Sequence, residues 1–220
     1  MSTNYPVKLV RRDINSLPKG IQTKDYDILI KSYIKKDYRI IATIKDLKED
    51  NYLQRAFFFV NCHFIKNHKE RFLLIDEYKD CFDYWWNTDQ IIKLVNKCDY
   101  NFMFEYSKNY INDASPMIRR WGYVMYIFHP CKKDADAVNK LLTLFKDDDN
   151  HDVMMAEAWT LCEFAIFFPD LIYDYLDRHV LNYKITSMAI GKIRDSYRID
   201  ESTKQRFIML REKYRETAWN

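Results

Sequence analysis

The sequence predicts an all-α fold, and three observations carry that prediction. From about residue 24 onward apolar residues recur at helical rather than alternating spacing. Only three glycines and five prolines occur in 220 residues, too few for a chain of tight β turns. Short polar breaks, LKED, KNHK, NDASP, HPCKK, KDDDNHD and YRIDES, separate the periodic stretches.

Taken in order, residues 1–23 read as an irregular lead through Pro18 and Gly20. Candidate helices then span roughly 24–36, 38–48, 50–66, 68–79, 84–97, 99–109, 114–129, 133–146, 151–168, 169–178, 181–196 and 200–215. Pro116 stands where a first helical turn tolerates it, Pro130 just past a helix end, and Pro169 at a junction. Helices joined by such short turns form antiparallel pairs of roughly 30 to 40 residues, and each pair is too thin to bury its own core. The expected architecture is one domain over 1–220, a HEAT-like helical-repeat solenoid of about six antiparallel helix pairs. Its concave face would be lined by one helix from each pair. Periodicity alone leaves an irregular helical bundle as the competing arrangement.

Composition excludes several classes. There is no G-x-G-x-x-G and no G-x-x-x-x-G-K-[ST], so dinucleotide and P-loop sites are dismissed. The five cysteines, Cys62, Cys81, Cys98, Cys131 and Cys162, include no C-x-x-C, and read as buried free thiols rather than zinc ligands or disulfides. The five histidines are scattered and form no H-E-x-x-H; His63 and His68 read as surface residues. No metal and no organic cofactor is expected. The N-terminus lacks an apolar h-region, and no run of 18 apolar residues appears, so a cytoplasmic protein with no membrane partner is expected. A net charge of +3 neither demands nor excludes nucleic acid, because local clustering decides binding to a polyanion.

Three candidate helices contain residues that break their own pattern. In FDYWWNTDQIIKLV, Trp85 and Asp89 stand at i and i+4 on one face. The structural reading has Asp83 or Asn87 capping the helix and Asp89 near the positive end of its dipole. In SPMIRRWGYVMYIF, Met117, Trp121, Val124, Met125 and Phe128 form a core stripe, while Arg120 lies in line with Val124 and Ile127. A buried guanidinium there requires a carboxylate, a phosphate or a set of carbonyls. In VMMAEAWTLCEFAIFF, apolar nearly all round and therefore central, Trp159 is either core or a second exposed aromatic, with Glu163 at i+4.

Taken together these residues have a chemical rationale. Alternate helices of an up-down solenoid share a face. Aromatic faces attract cations, a carboxylate stabilises an oxocarbenium-like sugar, and an arginine clamps a phosphate. That set suits cleavage of an N-glycosidic bond to a base made cationic by alkylation, since such a leaving group needs no protonation.

The chain resembles the AlkD-like DNA alkylation repair proteins, the HEAT-like-repeat glycosylase family. DYWWNTDQI is similar to the family's Trp-x-x-x-Asp helix, MIRRWGYVM to its arginine helix, and MMAEAWTLCEFAIFFPDLIYDYL to its A-x-A-W-x-L segment. YKITSMAIGKIRDSYRID resembles a further run of the family, and the likeness extends from about 50 to 210. The resemblance implies excision of N3- and N7-alkylated purines from double-stranded DNA without extrusion of the lesion. It puts Trp85 and Trp159 against the sugar and backbone. Asp89 becomes the catalytic carboxylate, and Arg120, with Arg119 as the alternative, the phosphate clamp. Lys132, Lys133, Lys192, Arg194, Arg198, Lys204 and Arg206 are the cations available to track phosphates, against a reading of each as solvated surface. A non-catalytic DNA-binding relative and a protein-interaction scaffold are the alternatives.

Overall fold

A computed structural model describes residues 5–18, 23–44, 47 and 50–218, with side chains through residue 215. Among these residues the regular structure is wholly helical, in two compact units, Met1–Cys98 and Asp99–Asn220.

The first unit contains α1 (Tyr5–Asn15), α2 (Thr23–Lys35), α3 (Asn51–Phe64), α4 (His68–Glu77) and α5 (Trp85–Ile91), with 3-10 turns at Arg39–Thr43, Lys79–Cys81 and Ile92–Leu94. Helix α3 is its hub. It touches α1, α2, α4, α5 and the Arg39–Thr43 turn. Leu53, Ala56, Phe57, Phe58, Val60 and Cys62 are all buried on it. Asp50 starts it, its side chain accepting the Leu53 N–H at 3.0 Å, and Asn67 starts α4 in the same way.

The second unit contains α6 (Tyr100–Tyr110), α7 (Pro116–Val124), α8 (Ala135–Leu142), α9 (His151–Ala165), α10 (Pro169–Asp177), α11 (Tyr183–Asp195) and α12 (Glu201–Ala218), with a 3-10 turn at Pro130–Lys133. Its helices follow the alternation of a repeat stack. Helix α7 lies against α9, α9 against α11 and α11 against α12, while α6 flanks α7 and α10 flanks α9. Helix α9 is buried nearly all round, as its continuous apolar sequence requires. Gly122 lets α7 close on the end of α6: a Cβ there would stand 3.1 Å from both the Tyr110 Cβ and the Ile111 Cγ2.

Several boundaries differ from the sequence reading. The lead through residue 23 includes a helix: α1 has Pro6 in its first turn, where the missing N–H costs nothing, and buries Leu9 and Val10. Among its described residues the segment read as 38–48 forms only the 3-10 turn Arg39–Thr43; residues 45, 46 and 48 of it lie outside the described residues, as does Gly20. The helix read as 84–97 gives way to a 3-10 turn after Ile91, and the one read as 114–129 ends its α segment at Val124. Phe128, placed in a core stripe, is consequently exposed. All five cysteines are free and buried, and burial pushes the Cys62, Cys81 and Cys131 thiols up to about 12, which leaves them poor nucleophiles.

Candidate active site

Helix α5 sets the geometry of the Trp–Asp pair. It begins at Trp85 itself. Tyr84 is its extended N-cap and makes no side-chain capping bond; the Asn87 N–H is satisfied instead by the Tyr84 carbonyl at 3.0 Å. Tyr84, rather than Asp83 or Asn87, holds the N-cap position; Asn87 is the third residue of the helix and is buried. One turn separates Trp85 from Asp89. The Thr88 hydroxyl donates to the Trp85 carbonyl at 2.8 Å and lies 3.3 Å from Asp89 Oδ1. Ile91 and Ile92 are buried, and α5 is anchored on α3. Trp85 keeps 37% of its surface accessible and Asp89 is half-buried, so the ring and the carboxylate are both within reach of a ligand.

Behind α5 lies an aromatic cluster that local sequence patterns do not reveal. Tyr26 of α2 and Tyr52 of α3 stack with centroids 4.4 Å apart and planes within 8°. Trp86 meets both edge-on at 6.4 and 5.9 Å. Arg55, buried on α3, sits 5.2 Å from the Trp86 ring and 5.1 Å from Phe59, and bonds Asp27 and Gln90. Tyr26, Tyr52 and Trp86 come from three different helices, α2, α3 and α5, and a one-helix periodicity argument cannot pair them.

In the second unit Arg120 is buried at 4% exposure and its guanidinium donates to the Asp152 carbonyl, in the first turn of α9, at 2.5 Å. Arg119 is engaged differently. It grips Asp148 through two bonds of 2.7 and 3.1 Å and also reaches the Asp113 and Ala114 carbonyls. Burial raises the pKa of Asp148, and the Arg119 bond, the Asn150 N–H and the charges of Arg119 and Lys146 together outweigh it, holding the carboxyl below its usual range. A cavity of about 550 Å³ beside this pair is lined by Asp113, Asp147, Asp148 and Asp149 as well as Lys146, an acidic setting unsuited to a phosphate. Trp159 is half-buried on α9, so its ring is not wholly spent in the core.

One turn beyond Trp159, Glu163 is buried and takes two cations. Lys132 Nζ reaches its Oε2 at 2.8 Å and also donates to the Ile127 carbonyl at 2.6 Å; Arg198 forks onto both carboxylate oxygens. Burial raises the Glu163 pKa, and the bonds from Arg198 and Lys132 outweigh it, so the net shift is downward. Lys132 and Arg198 are thus not simply solvated cations. Arg194, Lys204 and Arg206 also stand beside carboxylates, Asp195, Glu201 and Asp170. The Trp159-x-x-x-Glu163 spacing was visible in the sequence, but its cationic partners lie 31 and 35 residues away.

A model of the family described as DNA alkylation repair enzyme matches residues 19–193. The chain belongs to that family. This agrees with the AlkD-like resemblance of its three patches, and the matched span contains Trp85, Asp89, Arg120 and Trp159. No curated protein and no solved structure matches the chain. Membership makes it an enzyme of DNA alkylation repair, with DNA as its interaction partner. Among the described residues no cluster of three or more His, Cys, Asp or Glu could hold a metal ion, and no helix is long and apolar enough to cross a membrane.

Proposed function

We propose that this family member is a DNA glycosylase that excises cationic N3- and N7-alkylated purines from duplex DNA. The observation that carries the reading is the α5 pair, an accessible Trp85 ring one turn from the half-buried Asp89 carboxylate. Alkylation has already placed positive charge on the purine. The C1′–N9 bond breaks with its electron pair moving to the base, which leaves neutral, and positive charge develops on the sugar. Asp89 stabilises that charge and orients a water molecule. The water adds to C1′ and gives up a proton, completing an abasic site. Trp85 packs against the sugar and backbone at the lesion, and the resemblance alone assigns Trp159 to the same backbone and Arg120 to a neighbouring phosphate.

The test is release of free alkylated base from methylated duplex DNA by wild type and Asp89→Asn. Replacing the carboxylate by the near-isosteric amide is expected to reduce excision by roughly 10²- to 10³-fold, the size of effect seen when one preorganised electrostatic group is removed. Circular dichroism should be unchanged. Equal excision by the variant contradicts the assignment of Asp89.

A second reading, a DNA-binding protein without catalysis, is favoured by one observation: the Arg120 guanidinium is buried and already donates to Asp152. It requires salt-sensitive binding to duplex DNA with no base released from any alkylated substrate.

A further inference from the structure

Three of the cations available for phosphates stand one to one beside a carboxylate: Arg194 by Asp195, Lys204 by Glu201 and Arg206 by Asp170. Such pairs carry no net charge for a polyanion to meet. Glu163 differs, because one carboxylate holds two cations. Lys132 reaches it from the Pro130–Lys133 turn, and Arg198 from the turn between α11 and α12. One positive charge is left over, and exposure shows which side chain presents it. The Glu163 and Lys132 side chains are 4% and 12% exposed, whereas Arg198 keeps 41%.

Arg198 is held in place without being used up. Its two terminal nitrogens bond the two Glu163 oxygens, which locks the plane of the guanidinium. A guanidinium carries five N–H donors, and the other three, Nε–H among them, take no partner among the described residues. Lys132 in turn fixes the carboxylate: its Nζ lies 2.8 Å from Glu163 Oε2 and donates to the Ile127 carbonyl at 2.6 Å. Trp159, half-buried, stands one turn before Glu163 on the same side of α9, so Arg198 is held on the face that carries the Trp159 ring. An arginine already fixed in this way gives up less rotamer freedom when a phosphate arrives.

We propose that Glu163 is a positioning residue for DNA binding, aiming the exposed edge of Arg198 at a phosphate of the backbone that passes Trp159. This phosphate contact is separate from the one that the resemblance gives to Arg120, whose guanidinium is buried and donates to the Asp152 carbonyl. DNA as the ligand follows from family membership, so base excision is not required for it. The network also ties α9 to two turns, and that structural role alone would ask nothing of the outer edge of Arg198.

The experiment is equilibrium binding of an unmodified, fluorescein-labelled DNA duplex to the full chain, read by anisotropy at salt from about 50 to 200 mM. Wild type, Arg198→Ala, Arg198→Lys, Glu163→Gln and the Glu163→Gln, Arg198→Ala double variant are compared, with thermal melting of each. Arg198→Ala should weaken binding about tenfold, as for a lost hydrogen bond to a charged group. It should also reduce the slope of log affinity against log salt by about 0.9, one phosphate's share. Removing a negative charge should by itself tighten binding to a polyanion. Positioning predicts the opposite: Glu163→Gln weakens binding severalfold, and the double variant binds no more weakly than Arg198→Ala. Arg198→Lys keeps the charge but lacks the second edge of the fork, and it should not restore wild-type affinity. Unchanged affinity and slope in Arg198→Ala, wild-type binding by Arg198→Lys, or tighter binding by Glu163→Gln overturns the proposal. So does a Glu163→Gln chain that melts lower yet binds DNA as wild type does, which would make the network a structural staple only. The expected binding pattern without base release from methylated duplex leaves this contact standing and removes the glycosylase reading. Base release with wild-type DNA affinity in both Arg198→Ala and Glu163→Gln does the reverse.

Discussion

Two glutamates on α9 show how local surroundings send the same side chain in opposite directions. Glu157 is fully buried, and burial pushes its carboxyl up to about 8. The Tyr123 hydroxyl and Lys146 N–H act against the shift without completing hydrogen bonds to it, and Asp148 and Asp147 reinforce it. Glu163, between Lys132 and Arg198, shifts down instead. For Glu157 the folded pKa exceeds the unfolded one, so its stabilising contribution is full below about 4.5 and is lost as pH rises towards about 8. Thermal melting of wild type should therefore fall between pH 5 and 8, and Glu157→Gln should flatten that slope; identical profiles would remove Glu157 as the cause. Glu163→Ala should cost roughly 3–5 kcal/mol in urea denaturation, because it leaves the largely buried Lys132 ammonium without a counter-charge. Arg198→Ala should cost less, since Lys132 still serves Glu163. Equal losses would mean that the two pairs do not act as one network.

Among the elements, α9 ties Arg120 into the packing of the second unit. Its N-cap, Asn150, accepts the Asp152 and Val153 N–H groups at 3.0 and 3.3 Å, and the same first turn offers the Asp152 carbonyl to Arg120. Asn150→Ala should lower stability by about 1 kcal/mol, measured by denaturant titration, and should loosen the seat of Arg120. No change in the denaturation midpoint would show that the cap contributes nothing here. Helical periodicity made α9, α11 and α12 legible in the sequence because each carries a sustained pattern. Helix α1 was missed because Pro6 and a charged RRD run conceal a short apolar stripe. The 38–48 segment was overextended because its Ile-rich start looks periodic for a turn and a half.

At the scale of the whole molecule, the sequence disclosed the parts of the candidate site that lie within single helices. Trp85 and Asp89 are one turn apart, and Trp159 and Glu163 likewise, so spacing alone paired them. It could not disclose that Tyr26 stacks on Tyr52, that Asp148 occupies Arg119, or that Glu163 gathers Lys132 and Arg198, because those partners meet only through tertiary packing. The basic residues that looked available for phosphates proved largely paired with carboxylates. DNA affinity should accordingly depend on fewer free cations than a count of Lys and Arg suggests.

The central claim is that this member of the alkylation repair family breaks N-glycosidic bonds. The most direct measurement is a single-turnover incubation of excess wild-type protein with methylated duplex DNA, followed by chromatography of the released bases and a count of abasic sites. Free 3-methyladenine and 7-methylguanine, appearing in equal number with abasic sites, are the expected result. DNA that is bound yet keeps every methylated base would contradict the account.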